Sequence, residues 1–174
     1  IKNRTPAQST QILDRDGKVL YDIHGEEKRT VVESSTIPQD VKNATVAAED
    51  KNFYKHMGVD FTGIARALYR DIFHHSDVLQ GGSTITQQYV KNALLTTKQT
   101  FDRKIKELIL SLELEAMYSK DEILTMYLNE IPYGSNAYGI EAASQTFYKK
   151  SVKDLTLDEA ATLAALPNAP TYYS

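Results

Sequence analysis

No cysteine occurs among the 174 residues, which excludes a disulfide framework, a thiolate metal site and a thiol nucleophile. The compartment stays open, because a chain of this length buries a core without covalent staples. Long apolar runs are missing as well. No stretch approaches the roughly 20 apolar residues of a membrane span, and Ile1 to Thr10 lack signal-peptide architecture. Lys and Arg form no block and the net charge is -3, so the electrostatic footprint of a nucleic-acid binder is absent. The four histidines show no metal-ligand spacing such as H-E-x-x-H, and residue order alone offers no Ser-His-acid arrangement. Internal repeats and low-complexity tracts are not found either.

What is present is a chain 41% hydrophobic, enough for one core and too short for two ordinary domains. It starts at Ile1 and stops at Tyr172-Tyr173-Ser174 without a turn or tail, which reads as a segment of a longer protein. Near the start, β-prone residues from Gln11 to Ile23 flank Asp16-Gly17, a dipeptide suited to a tight hairpin turn. A second extended piece is expected over Thr30 to Val32, and Pro38 at a first helical position opens a helix to about Asp50.

Helical periods dominate from there. Apolar positions 61, 64, 65, 68 and 72 share one face, with Asp60 placed to cap, so Phe61 to Ile72 reads as an amphipathic core helix. A polar loop, Phe73 to Gln80, leads to Gly81-Gly82, and Ser83 is expected to cap a helix to about Leu95. Asp102 to Tyr118 carries Ile105, Leu108, Ile109 and Leu112 at helical spacing. Ser119 with Glu122 makes a capping box for a helix to about Asn129, and Thr156 with Glu159 repeats the device before Leu163. The sum is a mainly α domain with a small N-terminal β-hairpin.

Four polar clusters fall where helices begin or end. The first runs from Glu49-Asp50 through Phe53 and His56 to Gly58. A carboxylate at Glu49 faces the negative end of a helix dipole, which disfavours its ionised form. Partial burial beside Phe53 or Tyr54 would lift its proton affinity further, as a general base or acid requires. A fraying acidic helix end explains Glu49 as well, and local pattern alone favours that.

In the second cluster, Ser83, Gln87 and Lys91 are spaced by four, a polar stripe starting at a helix N-terminus where a phosphate could sit. Gly-Gly-Ser is also an ordinary loop and cap. The third puts Arg103, Lys104 and Glu107 away from the apolar stripe of their helix, where such pairs usually decorate a solvated face. The fourth, Lys120 to Asn129, is explained as a capped amphipathic helix except for Asn129, a poor helix former, while Tyr127 is more often core than ligand. His56 and His74-His75 read as turn or surface residues.

Taken in order, these clusters resemble the signature motifs of the peptidoglycan glycosyltransferase family of class A penicillin-binding proteins and monofunctional transglycosylases. Glu49-Asp50-x-x-Phe53-x-x-His56-x-Gly58 is similar to the first motif, Gly82-Ser83-Thr84-Ile85-Thr86-Gln87-Gln88 to the second and Arg103-Lys104-x-x-Glu107 to the third. Lys120-x-x-Ile123-Leu124-x-x-Tyr127-Leu128-Asn129 is similar to the fourth, and Gly139 to Ala143 with Phe147 and Lys149 to the fifth. Any one of these matches is unremarkable, whereas five in order are not a coincidence. Three departures stand out. Gln99, beside Lys98, replaces the usual Arg after the second motif; Tyr148 replaces a Gly in the fifth; and the chain stops short of a Pro- and Arg-containing segment.

The resemblance implies a lysozyme-like, two-lobed helical fold, with residues 1–40 a β-containing segment after a membrane anchor and residues 41–174 the glycosyltransferase domain. It implies lipid II and a lipid-linked glycan strand as substrates at the extracytoplasmic face of the bacterial membrane, and a transpeptidase domain following in class A members. Catalysis would fall to Glu49 as base, with Glu107 orienting cations or donor sugar. Ser83, Gln87, Lys91, Arg103, Lys104, Asn129, His56 and Lys98 would contact substrate, His56 also holding Glu49. No cofactor is required by this scheme and no protein metal site is expected, although a divalent cation, Mg or Mn, serves some members. Two rivals share the implied fold: a lysozyme-like or lytic enzyme that cleaves glycan, and a non-catalytic cell-wall scaffold. The cations at 91, 103 and 104 count against the first, and the two intact glutamates against the second.

Overall fold

The structure, a computed structural model, describes residues 10–13, 19–23, 28–63, 83–95 and 101–168. Within them six α-helices carry the fold: α1 (Gln39–Glu49), α2 (Ile85–Leu94), α3 (Phe101–Met117), α4 (Lys120–Glu130), α5 (Ile140–Tyr148) and α6 (Leu157–Ala165). The mainly α expectation is borne out. Strands β1 (Thr10–Leu13) and β2 (Val19–Ile23) pair antiparallel, the hairpin anticipated around Asp16-Gly17.

The next strand is not where periodicity put it. β3 is Lys28–Arg29, ahead of Thr30 to Val32, and it pairs in parallel with β4 (Ala137–Tyr138). Long-range contacts that no local pattern reveals select it. Arg29 forms a buried salt bridge with Glu130 at 2.7 Å, each side chain 5% exposed, and its guanidinium lies over the Tyr138 ring. Three residues on, the Val32 N–H donates to Asn129 Oδ1 at 2.9 Å while Asn129 Nδ2 donates to the Val32 and Thr125 carbonyls. Asn129 is therefore a buried clamp on the entering chain, a task different from the substrate contact expected of it.

At the centre lies α4. Ile123, Leu124, Tyr127 and Leu128 are all fully buried, and Asn129 and Glu130 at its end are buried as well, each held by a polar partner. α2 packs between α4 and α3, and α6 packs along α1. Capping boxes start three helices: Ser119 with Glu122 and Thr156 with Glu159 as expected, and Thr84 with Gln87 at α2. Ser83 is thus not the cap; it stands one residue outside, because Thr84 has the glutamine three positions on that closes the box. Pro38 precedes the first helical residue by one position and is itself the N-cap.

α3 reverses its predicted orientation. Ile105, Ile109 and Leu112 are 44%, 50% and 43% exposed, whereas Glu107, Ser111 and Leu114 are buried. Polar satisfaction explains the choice: Lys104 holds the Glu107 carboxylate, and Ser111 Oγ donates to the Glu107 carbonyl. Asp60 accepts from the Gly63 N–H and the Thr62 hydroxyl, starting a helical turn at residues 61–63 as anticipated. The rest of the expected Phe61 to Ile72 helix, the polar loop after it, Gly81-Gly82 and Lys98-Gln99 lie outside the described residues.

After α4 the chain reverses through Gly134 and re-enters at Gly139, whose φ of 82° is a glycine conformation and whose added Cβ would sit 2.7 Å from the Asn129 carbonyl oxygen. Gly139→Ala should therefore destabilise the fold by about 1–3 kcal/mol from backbone strain, with the clash in addition. Urea denaturation would measure it, and an unchanged midpoint would show that the α4–α5 junction yields freely.

Candidate functional site

α1 ends at Glu49 because Asp50 leaves the helix with φ -157. The departure turns the Asp50 carboxylate onto two donors: the backbone N–H of Ile85, the first residue of α2, at 3.1 Å, and His56 Nε2 at 2.9 Å. His56 thus holds Asp50, not Glu49 as anticipated. Its ring reaches Asp50 because a short 3-10 turn, Phe53–Lys55, folds the chain back with Phe53 fully buried. Gly58 then passes so close to α3 that an added Cβ would lie 2.9 Å from the Ser111 carbonyl oxygen, and its own carbonyl accepts from Thr84 Oγ1 at 2.6 Å.

These bonds change the meaning of the α2 N-terminus. The Ile85 N–H is taken by Asp50 and the Gln87 N–H by Thr84 Oγ1, while Gln87 Oε1 accepts from the Thr84 N–H. An anion arriving there would find three of the usual free N–H groups, those of Thr84, Ile85 and Gln87, already engaged. Gln87, expected on a substrate-facing stripe, is instead buried in the cap. Side-chain cations are left as the main attraction for negative charge.

Glu49 is half-buried beside α2. Gln88 Nε2 donates to its Oε2 at 2.7 Å, while Oε1 is buried without a hydrogen-bond partner among the described residues. Burial pushes its proton affinity up and the neighbouring Asp50 charge adds to that; the Gln88 bond and the Lys91 ammonium oppose it, and the net direction is upward. Two buried tyrosines stand within reach of its charge. Tyr127 and Tyr133 both hold their phenolic protons far above the ordinary range, first through burial and next through the Glu49 charge.

From Glu49 the polar groups continue in a line. Gln88 Nε2 lies 3.5 Å from the Ser83 carbonyl, Lys104 Nζ lies 3.4 Å from Ser83 Oγ, and Lys104 Nζ meets Glu107 Oε1 at 2.5 Å. Lys104 is 56% exposed while Glu107 is 2% exposed, so the buried acid anchors a cation that stands in solvent. Arg103 is half-buried one position before it, and Lys91 is exposed on α2. The first three clusters are therefore gathered: Glu49, Ser83, Lys91, Lys104 and Glu107 adjoin, with His56 and Gln87 supporting from inside. Asn129 is spent on the Val32 backbone. Sequence reasoning passed over Gln88 and Asp50 as participants, although both stand inside the quoted motifs; their roles depend on which way two helix ends face each other.

A family model described as Transglycosylase matches residues 16–174. Penicillin-binding protein 1F of Bacillus subtilis (strain 168) is 48% identical over 166 residues, which are 95% of this chain and 23% of that protein. Penicillin-binding protein 1A of Aquifex aeolicus (strain VF5) is 46% identical over 174 residues, 100% of this chain and 24% of that protein. The chain thus spans about a quarter of the length of the curated relatives it matches.

A stability test follows from the raised proton affinity of Glu49. Its native value lies above the ordinary glutamate value of 4.5, so the protonated carboxyl is favoured by folding below pH 4.5 and that contribution is lost as pH rises through the native value. Glu49→Gln should therefore melt at higher temperature than the parent at neutral pH, with the two converging below pH 4.5. Thermal unfolding across pH measures the gap, and a parent more stable than the variant at neutral pH would contradict it.

Proposed function

The chain belongs to the transglycosylase family, and on that premise we propose that it polymerises lipid II into peptidoglycan glycan strands, with Glu49 as the base. The reaction joins the anomeric carbon of a growing glycan donor to the 4-hydroxyl of a lipid II acceptor, with inversion. Glu49 accepts the hydroxyl proton as the oxygen attacks, the C–O bond to the donor's pyrophosphate breaks, and undecaprenyl pyrophosphate leaves. Pyrophosphate is already a good leaving group. The demand on the protein is to neutralise its developing charge.

One observation supports this reading above the others: a half-buried carboxylate of raised proton affinity adjoins a line of polar groups that ends in a solvent-facing lysine. A base for a sugar hydroxyl gains from a proton affinity nearer neutrality, and the free Oε1 leaves capacity to accept a proton. Lys104, Lys91 and Arg103 are assigned to the pyrophosphate, with Glu107 holding Lys104 in place. Ser83 contacts the same phosphates through its hydroxyl, and Lys98 is assigned there from the motif alone. Among the described residues no three carboxylates or histidines gather to hold a metal, and the chain's own cations supply the charge neutralisation in this scheme. Among those residues, too, no helix is long and apolar enough to cross a membrane. The proposal extends to a membrane anchor and a penicillin-binding transpeptidase in the same polypeptide, acting at the extracytoplasmic face, in keeping with the names and lengths of the relatives.

Labelled lipid II incubated with the protein and resolved by size gives the direct test. Long strands are expected; short fragments from added glycan would indicate a cleaving enzyme, and no conversion a scaffold. Glu49→Gln should slow polymerisation by about 100-fold or more while lipid II still binds. Lys104→Ala should slow it by about tenfold or more, and normal turnover in that variant would remove Lys104 from the leaving-group site.

A further inference from the structure

The Gln88 side chain is a two-faced group whose orientation decides what Glu49 meets. An amide presents N–H donors on one side and a carbonyl acceptor on the other. In the observed orientation Nε2 donates to Glu49 Oε2 at 2.7 Å and lies 3.5 Å from the Ser83 carbonyl, while Oε1 accepts from the Tyr127 hydroxyl at 3.4 Å. Tyr127 is fully buried, so its O–H needs an acceptor inside the protein. Turned over, Gln88 would offer Tyr127 only N–H groups and leave that buried hydrogen unsatisfied.

We infer that Tyr127 is a positioning residue for Glu49: by engaging Oε1, its hydroxyl keeps the Gln88 amide turned so that an N–H, and not a carbonyl oxygen, faces the carboxylate. This rests on Glu49 being the base proposed above. An N–H donor favours the ionised carboxylate, whereas a carbonyl there would accept from a protonated one and favour that form. Tyr127 thereby counters the burial that draws Glu49 toward its protonated, inactive state. The other groups that bear on Glu49 are Asp50 beside it, Lys91 from α2 and Tyr133 from the turn after α4. Along α6, which packs on α1, the acids are Asp158 and Glu159, held by Thr156 and by Lys150 with Thr156. Neither Lys91 nor Asp50 depends on the Tyr127 hydroxyl, so its removal isolates the amide.

The experiment titrates Glu49 by carboxyl 13C NMR and records the pH profile of labelled lipid II polymerisation, in the parent, Tyr127→Phe, Gln88→Met and the double variant. Tyr127→Phe removes one oxygen from a buried ring, and thermal unfolding checks that it folds. The Glu49 midpoint is expected to rise by about one pH unit, with the acidic limb of the pH profile moving the same way and the rate recovering at alkaline pH. Gln88→Met should raise the midpoint as well, and adding Tyr127→Phe to it should move it no further. An unchanged midpoint in folded Tyr127→Phe overturns the inference; so does an unchanged midpoint in Gln88→Met, should Tyr127→Phe fail to fold. A rate loss equal at every pH, with the midpoint fixed, would assign Tyr127 to packing alone and overturn it too. If the parent makes no polymer the proposed function fails by itself, while the carboxyl titration still decides the role of Tyr127.

Discussion

Asp50 is the joint on which the site depends. A single buried carboxylate takes the first N–H of α2 and the His56 ring, fixing the end of one helix against the start of another. Glu49, one residue earlier, is thereby laid beside Gln88, one turn inside α2. A charged acceptor buried with two donors is costly to disturb, since each donor left without it would lose about 1–3 kcal/mol of satisfied bonding. The same joint takes the first N–H of α2 away from any anion. A negatively charged ligand is then met chiefly by ammonium and guanidinium groups on α2 and α3, which is where Lys91, Arg103 and Lys104 stand.

Glu49 itself sits in a balance. Burial and the Asp50 charge favour its protonated form; Gln88 and Lys91 favour the ionised one. Such opposition lets one carboxyl hold a proton more tightly than a surface acid without losing its charge altogether. It also makes the residue a strained member of the fold, in the way functional groups often are. Glu107 shows the other solution on α3: it is more deeply buried, but its charge is met directly by Lys104.

Much of this was legible in the sequence. Helix starts at Ser119 and Thr156, the early hairpin and the end of α1 near Glu49 follow from local rules, because capping and turn chemistry are settled within a few residues. The ordered motifs named the residues that gather. What could not be read was which partner each would take. Periodicity placed Ile105, Ile109 and Leu112 inward, yet Glu107 and Ser111 have polar partners that make the opposite face the buried one. His56 was matched to the neighbour of its true partner, and Asn129 and Arg29 are tied to residues about a hundred positions away. Spacing along a chain encodes faces of helices; it does not encode the encounter between two helix ends.

The link between Arg29 and Glu130 spans 101 positions, and the Asn129 clamp on Val32 spans 97. Both receiving groups belong to α4, and β3 pairs with β4 beyond it. During synthesis the early strand therefore emerges long before anything exists to dock it, and its buried arginine stays in water until the 101 positions to Glu130 have followed. Closure of so long a loop is slow compared with helix formation. The order of assembly is built in: helices first, with the entering segment sealed onto them last.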